Sequence, residues 1–177
     1  YYFMYVGCEM VFGGWIASYA LGMGITTHQG SASYLVSLFY FALTTGRILS
    51  IFAAVYISNM LLIRFTLCSC FICCFVNIFI SSLSYESLCV ACCLAGAFMN
   101  PLGFTIPNDY GYKLSPTTAT LALLGGALGE TFLPPMVGLA MHAGGLTLLP
   151  IFVFLIVLCY IVLYYILHKL LKHDNAP

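Results

Sequence analysis

Six stretches of this sequence run for twenty or more residues with almost no charge. They are Tyr2–Met23, Tyr34–Ser58, Met60–Ser81, Ser87–Ile106, Thr118–His142 and Leu146–His168. A helix rises about 1.5 Å per residue, so each stretch is long enough to cross a hydrocarbon core of about 30 Å. The chain is 63% hydrophobic and 6% charged, whereas a soluble domain carries about 25% charged residues. Too few polar side chains remain to coat a water-facing surface. The expected fold is an all-α membrane protein with six transmembrane helices in one domain, residues 1–168, and a cytoplasmic tail, 169–177. The connections are short, so neighbouring spans are expected to alternate in direction. Charge is balanced and no basic patch is present, so nucleic acid is not an expected partner. The lipid bilayer is.

Lysine and arginine orient the bundle. Arg64, Lys113, Lys169 and Lys172 all fall on connections or ends that six alternating spans place on one side. The other loops hold neither residue type. Both chain ends are therefore expected in the cytoplasm, with the plasma membrane as residence. Tyr160, Tyr164 and Tyr165 are expected in the interfacial belt at the inner end of the last span. The sequence opens on Tyr1 inside an apolar run, which predicts a piece of a longer chain.

Three charges lie deep within spans, Glu9, Arg47 and Glu130, while Arg64 sits at the start of the third span just after its connection. A charge in hydrocarbon costs several kcal/mol unless it is paired, neutralised or facing a wet cavity. Arg47 and Glu130 each sit near the middle of a span, and Glu9 lies slightly to the cytoplasmic side. Arg47 could pair with either carboxylate. If it takes one, the other is a candidate proton or sodium site; if both carboxylates clamp it, neither titrates.

Local sequence adds three devices. Small residues recur at i, i+4 spacing as Gly14, Ser18 and Gly22, as Ala42, Gly46, Ser50 and Ala54, and as Ala122 and Gly126 beside Gly125 and Gly129. Such faces let helices approach closely in lipid. Pro134 and Pro135 cannot donate to the carbonyls of Glu130 and Thr131, so acceptor oxygens are freed beside a carboxylate, unless Thr131 satisfies them. Asn100-Pro101 does the same in the fourth span, where Asn100 is either a helix–helix bond or a ligand contact. Trp15 and Tyr19 could stack on the apolar face of a sugar ring, or Trp15 could simply pack between helices. On a regular helix Glu9 and Trp15 point about 120° apart, so a break at Gly13-Gly14 is required to aim both at one cavity. The nine cysteines lie almost entirely in apolar runs and are expected to serve as small apolar side chains. No metal or cofactor is expected, and no catalytic constellation shares one depth, so an enzyme is not expected.

The spans also repeat in character, three and three. The first and fourth are glycine-containing and polar-spotted, the second and fifth hold one central charge each, and the third and sixth hold no central charge. With opposite orientation, that is the 3+3 inverted repeat seen in each half of a major facilitator transporter.

Tyr5-Val6-Gly7-Cys8-Glu9, Gly13-Gly14-Trp15 and Gly46-Arg47-Ile48-Leu49 resemble the seventh and eighth helices of fucose-permease-like major facilitator transporters. This branch includes the sodium-dependent glucose transporter 1 group. Gly125–Glu130 resembles its eleventh helix, where a glycine-rich stretch precedes Gly-Glu. The resemblance implies that the chain supplies helices seven to twelve of a twelve-helix carrier for a hexose or similar solute, driven by sodium or protons. Its partner would be the N-terminal six-helix half or a second copy. Glu9, Trp15, Tyr19 and Asn100 would then contact solute, and Glu130, Arg47 and Glu9 would form the coupling site or a buried ion pair. The alternative is a multi-pass membrane protein that transports nothing and acts as a scaffold or interaction partner.

Overall fold

The structure, a computed structural model, describes residues 1–80, 84–99 and 115–174. These are almost wholly helical: α1 Tyr2–Gly22, α2 Gln29–Tyr56, α3 Asn59–Ile80, α4 Tyr85–Phe98, α5 Pro116–Gly144 and α6 Leu149–Asp174, with one 3-10 turn at Leu146–Leu148. Helix starts follow local chemistry. Ser84 Oγ accepts the Ser87 N–H at 3.2 Å and opens α4. Ser115 Oγ accepts the Thr118 N–H at 3.2 Å, and Pro116 supplies a first-turn residue whose missing N–H costs nothing there. Gly145, at φ 94°, closes α5 in a conformation closed to most side chains.

Four helices, α2, α3, α5 and α6, are long and apolar enough to cross a bilayer. The protein is thus an all-helical, multi-pass membrane protein. α1 has 21 residues, but Glu9 and its tyrosines and glycines lower its mean hydropathy. α4 is described over 14 residues. The rest of the expected fourth span, with Asn100 and Pro101, and the loop carrying Lys113 lie outside the described residues. Two helices overrun their expected limits. α2 begins at Gln29 rather than Tyr34 because small polar residues do not stop a helix. α6 carries on through the start of the expected tail to Asp174.

Contacts fix the helix directions. Phe3 and Gly7 meet Gly129 and Leu133, while Trp15 meets Gly138, so α1 and α5 run parallel. Tyr85 donates to the Ser31 carbonyl, and Gly46 meets Ala97, so α2 and α4 also run parallel. Glu9 pairs with Arg47 and Gly13 meets Tyr40, so α1 and α2 are antiparallel. α1 and α6 are antiparallel as well, with Tyr1 beside Tyr160 and Gly22 beside Leu146. The most extensive packing is α1 on α5 and α2 on α4, followed by α1 on α2 and α6, and α3 on α4 and α6.

Glycines set both of the largest interfaces. A Cβ on Gly129 would fall on the Phe3 carbonyl oxygen, and one on Gly46 would fall on that of Ala97. Gly96 is closed in the same manner by the Phe39 carbonyl, and Gly7 by the Leu133 side chain. The small-residue face expected on α2 is real: Ala42, Gly46 and Ser50 are buried, although Ala54 is exposed. The one expected on α1 is not the packed face. Gly14, Ser18 and Gly22 are exposed, and α1 approaches its neighbours through Gly7 and Gly13 instead. Tyr160 and Tyr164 also depart from expectation. They point into the bundle, and Tyr160 Oη shares a 2.5 Å hydrogen bond with Tyr1 Oη. A buried hydroxyl that finds a partner carries little cost.

Candidate functional site

Glu9 lies two turns into α1, on the side that faces α2. Its Oε2 accepts a hydrogen bond from Arg47 Nη2 at 2.6 Å. The same guanidinium nitrogen donates to Tyr5 Oη at 3.0 Å. Tyr5 is one turn before Glu9, so residues i and i+4 of one helix grip one cation. The carboxylate is well enclosed, with 12% of its side chain exposed, against 40% for Arg47. Arg47 Nε is buried and has no partner among the described residues.

Glu130 shares a cavity with this pair. Tyr2, Tyr5, Val6 and Glu9 from α1, Arg47 from α2, and Leu123, Gly126, Ala127 and Glu130 from α5 line an open groove of about 380 Å³. Glu130 is the middle residue of the 29 in α5, its side chain is exposed, and no hydrogen-bond or ion-pair partner for it occurs among the described residues. Arg47 therefore pairs with Glu9 and not with Glu130. Counted formally, the groove holds two carboxylates and one guanidinium.

The proline pair does not break α5, which runs unbroken from Pro116 to Gly144. The Thr131 hydroxyl is not available to the freed carbonyls, since Oγ1 donates to the Ala127 carbonyl at 2.8 Å. The helix is steadied from outside instead. Trp15 Nε1 donates to the Pro134 carbonyl at 2.9 Å, and its ring lies over Gly138, where a Cβ would strike it.

The expected site residues therefore separate. Glu9, Arg47 and Glu130 line one groove. α1 is continuous through Gly13-Gly14, so the break that would bring Trp15 beside Glu9 does not occur. Trp15 packs between helices. Tyr19 is 2% exposed within the core, away from the groove. Asn100 lies outside the described residues. Tyr5 is the site residue that sequence reasoning passed over, although its i, i+4 spacing to an intramembrane glutamate is a usable signal.

Compared with protein-family models, with curated proteins and with solved structures, the chain matches none.

Proposed function

We propose that the chain is one six-helix half of a secondary active transporter. It would carry a hexose or similar small solute by alternating access, with sodium or a proton as coupling ion. One observation carries this reading: a groove of about 380 Å³ with three ionisable side chains opens on an otherwise apolar helical bundle. Ionisable groups in a spanning bundle mark solute and ion paths more often than they stabilise it.

The helix pairings add support. Exchanging helices 1–3 with helices 4–6 turns the α1·α5 pair into α4·α2, and α1·α6 into α4·α3. Both members of the first set are parallel and glycine-lined, and both members of the second are extensive contacts. α3·α6 maps onto itself. In these pairs the contacts follow a 3+3 inverted repeat, the building unit of major facilitator halves, while α1·α2 has no counterpart of like extent in α4·α5 among the described residues. In this reading the groove faces a second six-helix body, the N-terminal half or another copy, and solute binds between them. The plasma membrane is the proposed residence, with both ends cytoplasmic.

Uptake of labelled hexoses into vesicles carrying the full-length product tests the proposal. Accumulation driven by an imposed sodium or proton gradient is expected. Equal hexose levels in loaded and protein-free vesicles under both gradients would overturn it.

A further inference from the structure

The two carboxylates of the groove are not equivalent. Glu9 is held: Arg47 Nη2 bonds it at 2.6 Å and is fixed in turn by Tyr5 Oη at 3.0 Å. That unit is neutral. Glu130 stands across the groove at the middle of α5, with no partner among the described residues. A bare carboxylate in the middle of a spanning helix costs several kcal/mol unless it faces water or is neutralised, and the open groove gives a small cation access to it.

The surroundings select the kind of ligand. The titratable groups around Glu130 are Tyr2, Tyr5 and Glu9 on α1, with Arg47 and Tyr40 on α2; α6 adds none to the groove. Arg47 is already committed to Glu9. Tyr40 Oη is directed to Met10 Sδ at 3.9 Å. Beside Glu130, Pro134 and Pro135 leave two backbone carbonyls without helical donors, and the Thr131 hydroxyl is engaged elsewhere. Glu9, Arg47 and Glu130 together leave the groove with one formal negative charge in excess. An anion is disfavoured there, and one positive charge balances the site. A divalent ion would overcompensate it.

We infer that Glu130 is the site of a single exchangeable monovalent cation, a proton or a sodium ion, while Glu9 is a fixed counter-ion of Arg47. The role of that cation in driving solute rests on the transport reading above, but its binding does not.

A hydrophobic carbodiimide adds covalently to protonated carboxyl groups within membranes and leaves ionised or salt-bridged ones intact. Membranes carrying the full chain are treated over a range of pH, with sodium or choline as the salt, and the modified glutamate is located by peptide mass spectrometry. Glu130 is expected to be modified and Glu9 to be spared. If sodium protects Glu130 at fixed pH, the cation is sodium; if only pH matters, it is a proton. In R47Q membranes Glu9 is expected to become reactive too. Modification of Glu9 in the wild type overturns the inference. So does a Glu130 that stays unreactive at every pH, which would mean that a partner surface covers and pairs it. No uptake is measured, so a carrier that moves no hexose leaves this result standing.

Discussion

At the scale of single residues, the molecule turns on what Arg47 holds. Removing one member of a fully buried ion pair costs about 3–5 kcal/mol. Arg47 is partly exposed, which screens the pair, so R47Q is expected to cost about 1–3 kcal/mol. E9Q/R47Q should recover part of that loss, because no charge is then stranded. Thermal unfolding of the two variants in detergent checks the order. W15F keeps most of the ring but loses the bond to the Pro134 carbonyl. Interhelical hydrogen bonds in membranes contribute about 0.6 kcal/mol on average, so a small drop in melting temperature is expected, with no loss of fold. The sequence makes it legible that Glu9, Arg47 and Glu130 have to be accommodated together. It could not tell which acid takes Arg47, because depth along a span is nearly the same for both and the choice depends on how helices rotate about their axes. That rotation is set by Gly7, Gly46 and Gly129, whose contacts lie on other helices.

At the scale of elements, close approach is concentrated at a few glycines. G129A places a methyl on the Phe3 carbonyl, and the backbone there cannot move aside as a side chain would. Overpacking of this kind costs about 1–3 kcal/mol. G14A is the control: nothing lies within 4 Å of its added methyl, and alanine is the better helix former by up to about 1 kcal/mol. Yield of folded protein and melting temperature should fall for G129A and hold or rise for G14A. Helix positions were legible because apolar length is a strong signal. The packed face of α1 was not. Gly14, Ser18 and Gly22 have ideal spacing yet lie exposed, since small residues permit contact without specifying a partner.

At the scale of the whole molecule, the proposed topology of six alternating spans would put the His28 turn and the C-terminal end of α6 on opposite faces of the membrane. An impermeant cysteine reagent applied from outside to intact cells tests the proposed orientation. It should label H28C and fail to label K169C until the membrane is permeabilised; the reverse pattern would invert the topology. The matched pairings have a consequence for how such a chain is made. The contacts between sequence neighbours α2 and α3, and between α5 and α6, are slight, while α1 rests mainly on α5 and α2 on α4. During synthesis α1 is therefore made long before α5, the helix that will cover it. Until α5 enters the bilayer, Gly7 and Phe3 have lipid or a chaperone where Gly129 belongs, and Glu9 depends on Arg47 from α2 to stay neutralised. Synthesis halted after α3 would leave α1 and α2 with their best-fitting surfaces bare, and such a piece is a natural target for membrane quality control.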